Sequence, residues 1–349
     1  MTIGLGHEIC VSFVHGFHDE IAVDHQAEHP ALWSISGDAE QTHRVRFPIT
    51  PSDFDELPYP ILGELPRTTR ALQRRPRFGF TGLVPVNGKL LAGSWNGIYT
   101  LDAQSKRVES FITNRYTCYI HRFCADEQRI IFAMPFMDMV VIIDHQGNVI
   151  DRFTIDQTLR ISRDNIDETI DWRFADKPWS GPTGLFHINS VQTIGQDIYL
   201  TSRNLGALIV VRPGEDHASL RTLNYRTPTC VHDGDYVDGK FYLTSIDGKI
   251  LIASQPKEFD STRFRYDLQV DCVRLDEVQK NWCRGIAVTD EFIYTTIDGR
   301  YDSDLSFGLL QLDRAGNLLD QRRFRWSNIG SENDIRYVTG FDIVANCEL

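Results

Sequence analysis

The chain has 349 residues, of which 42% are hydrophobic, and a formal charge of −12. That hydrophobic share supports a large core and excludes a disordered chain, and no apolar run approaches the ~18 residues of a membrane span. The acidic balance disfavours non-specific binding to nucleic acid or to an anionic membrane, so neither is expected as a partner.

The first residues, Met1 to Glu8, lack a basic n-region and an apolar h-region. No signal peptide is read there, and a cytoplasmic location is the expectation. Residues 8–47 then show three outer-strand patterns, at 9–14, 20–23 and 43–47. Six of the eleven histidines fall before residue 44. His15 and His18 lack the four-residue spacing that sets two ligands on one helical face. With His25 and His29 they read as a solvated outer-blade loop, from which His15 or His18 reaches the channel only through a long excursion. The link at 48–77 holds the one tight basic cluster, Arg74, Arg75 and Arg77, read as a solvated face or a carboxylate or phosphate clamp.

From Thr81 a four-strand unit is spelled out: 82–86, a turn at Asn87-Gly88, 89–92, 97–102 and 108–112. It recurs from His121, His187, His232 and Arg284. Short β-branched runs at 140–143, 208–211 and 250–252 mark strands rather than helices. Asp238-Gly239, Asp247-Gly248 and Asp298-Gly299 are expected to be further tight turns. A four-strand repeat of this period is the signature of β-propeller blades. The blades are placed near 78–112, 117–155, 184–223, 229–268 and 282–324. Residues 338–344 resemble an inner strand with nothing after it, and 8–47 look like outer strands lacking an inner one. Joined, 8–47 plus 338–346 make a composite sixth blade and leave no open sheet edge. The expected fold is therefore all-β, a single six-bladed β-propeller domain over residues 1–349, closed by N- and C-terminal strands. A seventh blade results if 8–47 form a whole blade alone.

Long links at 48–77, 156–183, 269–281 and 325–337 all emerge where the inner strands begin. Long loops on one face of a rigid scaffold usually build a binding site. The 156–183 link carries Arg160, Arg163, Asp164, Asp171, Trp172 and Trp179. It reads as a lid or pocket wall, or else as an insertion or dimer contact.

The inner strands place Thr81, His121-Arg122, His187 to Asn189, His232 to Asp235, Arg284-Gly285 and Thr339-Gly340 at the channel mouth. Three imidazoles from adjacent blades are a recurring way to hold Zn, Fe, Mn, Ni or Cu with positions open for water and substrate. His121, His187 and His232 are the expected metal ligands. Asp233 or Asp235 would ligate directly or fix the tautomer of a ligating histidine. His232, Asp233 and Arg284 are the expected catalytic set, with Arg284 as a bidentate anion clamp. Arg122, Asn189, Thr339 and Trp282 are expected to bind substrate. Two other readings stay open: a metal-free site with His232 or His187 as general acid–base, and plain polar lining of a wet channel. No GxSxG elbow, P-loop or GxGxxG occurs, so no nucleotide cofactor is expected.

The seven cysteines are odd in number and form no CxxC pair. They read as small apolar residues in a reducing compartment, with Cys283 beside Arg284 as a conceivable reactive thiol.

The stretches 186–191, 231–234 with 239–245, and 282–287 resemble a bacterial propeller family of unassigned function. More distantly the chain is similar to six-bladed propellers of the gluconolactonase and strictosidine-synthase kind. The resemblance, over about 79–342, implies the fold and no activity. Enzymes of the second group bind a metal with Glu, Asn and Asp at the channel top. This mouth offers histidines instead, so that chemistry is not carried over. The leading expectation is an enzyme acting on a small polar or anionic substrate at the mouth, a metal-assisted hydrolase, lyase or isomerase. The alternatives are a non-catalytic propeller binding a protein or peptide, and a metal-free His/Arg enzyme of specialised metabolism performing a cyclisation or alkylation. The sequence does not specify an oligomeric state.

Overall fold

A computed structural model describes residues 8–17, 28–47, 77–94, 97–117, 119–135, 137–156, 158–163, 166, 186–213, 220–227, 229–254, 266–272, 281–299, 305–328 and 335–345. Six small antiparallel sheets form a six-bladed β-propeller. Blade 1 runs Gly82–Val86, Lys89–Gly93, Ile98–Asp102 and Val108–Ile112. Blade 2 contains Cys124–Ala125, Ile130–Met134, Met139–Ile143, Val149–Ile155 and a short fifth strand, Ile161–Ser162. Blade 3 spans Ile188–Ile194, Asp197–Ser202, Ala207–Pro213 and Leu220–Arg226. Blade 4 spans Val231–Val237, Lys240–Ser245, Lys249–Ser254 and Leu268–Asp271. Blade 5 comprises Asn281–Val288, Phe292–Gly299, Ser306–Asp313 and Leu318–Arg325.

Blade 6 is composite. Ile335–Ala345 is innermost and pairs with Ile9–Phe17, which pairs with Glu28–Ser36 and then Ala39–Arg46. Strands from opposite ends of the chain thus share one sheet and close the ring, removing the open edges that would otherwise invite aggregation. Arg77–Gly79 adds a further pairing to Ile9–Phe17.

Packing explains the strand composition. Middle strands touch the neighbouring blade on both faces, so Ile130–Met134 and Met139–Ile143 are buried at every residue and read as continuous apolar runs. Outermost strands such as Ala39–Arg46 are mostly exposed and carry charge. Each blade pair encloses its own apolar cluster. Leu91, Phe132 and Val141 fill the space between blades 1 and 2. Ile131, Ile188 and Leu200 lie between blades 2 and 3, and Tyr199, Phe241 and Leu251 between blades 3 and 4. Ile252, Ile286 and Leu310 lie between blades 4 and 5. Closure is sealed by Trp33, Phe307 and Ile343 between blades 5 and 6, and by Leu32, Leu83 and Tyr99 between blades 6 and 1.

Two expected hairpin turns are present, and several other local expectations are corrected. Asn87-Gly88 and Asp238-Gly239 are tight turns, both residues of each having positive φ, as a type I′ hairpin requires. Asp298-Gly299 is not a turn: Asp298 pairs with both Trp282 and Phe307, because the strand continues through Gly299. The middle strand of blade 6 is Glu28–Ser36, and residues 20–23 lie outside the described residues. His15 and His29 are buried strand residues rather than a solvated loop, because their strands are packed inside blade 6. The His15 ring lies 4.7 Å from Trp326 and 6.0 Å from His29, centroid to centroid. Part of the expected 156–183 lid is the fifth strand of blade 2, Ile161–Ser162, which pairs with Thr154 and Ile155. Most of the rest of that link, and nearly all of 48–77, lie outside the described residues. Among the described residues no helix is long and apolar enough to cross a membrane.

Candidate functional site

Four of the six inner strands share a defect where the chemistry sits. Their pairing with the second strand slips at Asn189, at His232-Asp233, at Arg284-Gly285 and at Phe341-Asp342. A bulge releases residues from the ladder and re-aims their side chains. The amide freed by the slip is met by a hydroxyl on the second strand. Ser190 N donates to Thr201 Oγ1 at 3.0 Å, Asp233 N to Thr244 Oγ1 at 3.0 Å, and Asp342 N to Ser12 Oγ at 2.9 Å. In blade 5 Thr295 Oγ1 donates to Gly285 O instead. A parallel bridge between Arg122 and Ser190 fixes the register of blade 2 against blade 3. The ring of mouth positions is therefore Thr81, His121, Asn189, His232, Arg284 and Phe341. The residues one step deeper are Gly82, Arg122, Ser190, Asp233, Gly285 and Asp342.

The glycines of the deeper ring are required by close approach. A Cβ on Gly285 would lie 2.5 Å from Asp342 Cα and 2.7 Å from Phe341 O, and one on Gly82 would lie 2.4 Å from His121 O. Gly285→Ala is expected to destabilise the protein by about 1–3 kcal/mol, because backbone cannot yield as a side-chain tip can. Urea unfolding checks this, and a neutral result would contradict the contact.

The upper layer is half-buried. The His121 ring centroid lies 6.1 Å from that of His187, 5.9 Å from His232 and 5.6 Å from Phe341. His232 lies 6.4 Å from Trp282. The guanidinium carbon of Arg284 sits 5.0 Å from the Trp282 ring and 4.4 Å from Phe341, and that of Arg203 sits 4.8 Å from the same indole. His121 therefore lies beside both His187 and His232. His187 is not at the repeat-equivalent position, which Asn189 takes. It precedes the strand with φ +50°, its amide donating to Asp138 Oδ1 at 3.0 Å.

His232 is almost fully buried, and its Nδ1 lies 2.8 Å from Asp233 Oδ2. Burial, then the positive charges of Arg284 and Arg203, hold the imidazole well below its ordinary pKa. Burial pushes the Asp233 carboxyl up to about 7 against the pull of Arg122 and Arg284. A neutral imidazole donating Nδ1–H to Asp233 leaves Nε2 as a proton acceptor, with its tautomer set by the carboxylate.

Beneath lies an ionic plug. Arg122, expected at the substrate, reaches down the axis. Its Nη1 lies 2.8 Å from Asp342 Oδ1 and donates to Ile286 O, while Nη2 is 3.6 Å from Asp235 Oδ2. Asp342 Oδ2 accepts Leu83 N at 2.8 Å, and Gln192 Nε2 donates to Gly234 O at 2.5 Å. Burial would lower the Arg122 pKa, but Asp342, Asp235 and Asp233 outweigh it and raise it. Burial raises Asp342 to about 6, with Arg122 opposing and Asp233 adding.

Arg203, Phe341 and Asp342 were missed. Arg203 lies in the turn between the second and third strands of blade 3, and such turns open on the same face as the long links. Its signal was the Thr201-Ser202 pair at that strand's end, which repeats in Thr244-Ser245. Phe341 and Asp342 take the place expected of Thr339, because the strand begins at Ile335 and its bulge falls later; Thr339 pairs in the ladder with Val14. Among the described residues, no group of three or more His, Cys, Asp or Glu side chains is gathered to hold a metal ion. The expected metal set thus stands as neighbouring rings without a chelating geometry. Cys283 is buried, and a hydrogen bond with Cys272 and then burial raise its thiol well above the ordinary range. It is a packed thiol rather than a nucleophile.

No family model matches the chain, and no curated protein matches it. Among solved structures it is similar to a member of the DUF4221 family from Bacteroides vulgatus, with TM-score 0.44 and 10% identity over 76% of this chain and 91% of that one. It is similar to the WD40 domain of Neurospora crassa Pan2, with TM-score 0.42 and 10% identity over 70% and 66%. It is also similar to BamB from Moraxella catarrhalis, with TM-score 0.37 and 12% identity over 70% and 63%. The matched region spans less than two thirds of the length of the Pan2 and BamB chains.

Proposed function

We propose that the channel mouth is an acid–base active site for a small anionic molecule. The observation that carries this reading is the buried His232–Asp233 pair set beside two arginines that share one indole. His232 Nε2 takes or returns a proton, Asp233 holds the tautomer, and Arg284 clamps the anion. Asn189 and Trp282 line the bound molecule, and His121 and His187 complete the wall. Arg122 acts from below, holding the Asp342 and Asp235 carboxylates in place. The positive charge of Arg203 and Arg284 favours an anion here and opposes a divalent cation.

Turnover is sought by NMR with a panel of small carboxylic acids and phosphate esters. His232→Gln is expected to slow the reaction by about 100-fold or more while changing affinity little, and Arg284→Ala to weaken binding by about 10-fold or more. Undiminished turnover in His232→Gln would remove the proposal. Loss of turnover on chelation, with recovery on adding zinc, would replace it with the metal-assisted reading. Failure of the whole panel to bind would favour a non-catalytic propeller.

A further inference from the structure

We infer that Asp138 is a positioning residue of the channel mouth: its carboxylate grips the backbone at Phe186 and His187, and so fixes the His187 imidazole against His121 and anchors the turn that carries Arg203. The inference rests on the acid–base reading above for what those side chains then do, and on backbone geometry for where they are held.

His187 stands just ahead of the strand Ile188–Ile194, outside its sheet ladder, with φ +50°. That left-handed conformation is uncommon for a residue with a Cβ and persists where the surroundings impose it. Asp138 imposes it from the neighbouring blade. It lies in the turn between Ile130–Met134 and Met139–Ile143 of blade 2 and is only 2% exposed. Its Oδ2 accepts Phe186 N at 3.0 Å and its Oδ1 accepts His187 N at 3.0 Å. One carboxylate spanning two successive amides fixes the orientation of the peptide as well as its place, and charge and burial strengthen both bonds.

The same two residues are held from the other side by blade 3. Phe186 O accepts Ser202 Oγ at 2.7 Å and Asn204 N at 3.0 Å, and His187 O accepts Arg203 N at 3.2 Å. All four backbone polar groups of this dipeptide are thus engaged, two by Asp138 and two by the turn that carries Arg203. The clamp reaches two walls of the mouth. The His187 ring lies 6.1 Å from that of His121, and the Arg203 guanidinium carbon lies 4.8 Å from the Trp282 ring. An asparagine at 138 would offer one acceptor oxygen and turn an NH2 toward one of the two amides, so it cannot hold both.

NMR of the full chain, with labelled histidine rings, tryptophan indoles and backbone amides, tests this without a ligand. His187→Gln and Trp282→Phe assign the signals. The unmodified protein is expected to show a cross-peak between the His187 and His121 rings. Asp138→Asn should lose that cross-peak, shift the Trp282 indole signal, and speed solvent exchange of the His187 amide by about 10-fold or more. The cross-peak between His121 and His232 should remain, which separates a local release from general loosening. A folded Asp138→Asn that is less stable but keeps the His187–His121 cross-peak and an unmoved Trp282 signal would overturn the inference, leaving Asp138 as a staple between blades. Should Asp138→Asn not fold, the unmodified protein still decides: exchange of the Phe186 and His187 amides at free-peptide rates would overturn it, and strong protection of both would support it. Failure of every small acid to bind would remove the acid–base reading and leave the placement of His187 standing.

Discussion

Replacing Arg122 by alanine is expected to destabilise the protein by about 3–5 kcal/mol near pH 8, the range for a buried ion pair broken from one side. Arg122 leaves blade 2 and meets Asp342 of blade 6, Asp235 of blade 4 and the Ile286 carbonyl of blade 5. Asp342 in turn holds Leu83 of blade 1. Removing the guanidinium strands Asp342, only 1% exposed, without its cation. The loss should depend on pH with a defined sign. Burial has already raised Asp342 to about 6 and Asp233 to about 7. Both are charged at pH 8 and costly when unpaired, and protonation near pH 5 removes most of that cost. Urea midpoints of the wild type, Arg122→Ala and Arg122→Ala with Asp342→Asn measure this. The double variant should recover much of the loss. A single-variant cost below about 1 kcal/mol, typical of an exposed pair, would show that the plug does not hold the ring.

His15 sets a second large effect, at acid pH. Burial, then the charges of His29 and Arg44, lower its pKa from 6.5 to about 3. The unfolded chain therefore binds this proton first, and stability contributed by the neutral ring is lost as pH falls from about 6.5 towards 3. A shift of that size amounts to roughly 4–5 kcal/mol once pH reaches the folded value. His232, also lowered by burial, acts in the same direction. Asp233 and Asp342 act oppositely: their folded pKa values are raised, so acidification from about 7 relieves them. His15→Phe isolates the one contribution, since a phenyl ring suits the contacts with Phe13 and Trp326. Its urea midpoint should fall much less than that of the wild type between pH 7 and pH 4. Parallel profiles for the two proteins would mean that His15 does not set the acid limit.

The blades were legible because a middle strand buried on both faces must be an unbroken apolar run, as 140–143 and 208–211 are, and because Asn87-Gly88 and Asp238-Gly239 carry the φ > 0 that a two-residue hairpin demands. The composite blade was legible for a related reason: 338–344 had inner-strand character with no partner following it. The placing of His121, His232 and Arg284 around one mouth was legible because repeats around one axis bring equivalent positions together, whereas His187 lies just ahead of its strand, where Asn189 holds the equivalent position. Their local roles were not recognised. Arg122 looked like a mouth residue beside His121, but its backbone bridges to Ser190 of the next blade and its side chain goes deeper, and only the fold shows which carboxylates await it. Asp298-Gly299 has turn composition and yet lies in a strand, since pairing on both sides outweighs a local preference.

The amino-acid sequence by itself determined the propeller, its closure by the two ends, and the convergence of histidines and an arginine on one mouth, because burial patterns and repeat period are properties of the chain order. The tertiary structure alone decided that His232 pairs with Asp233, that Arg203 joins Arg284 on Trp282, and that Arg122 belongs to the plug. Asp233 and Arg284 sit at slips in strand register, which redirect side chains while leaving the pattern of apolar residues unchanged, and Arg203 and Arg122 meet partners on other blades that chain order does not reveal.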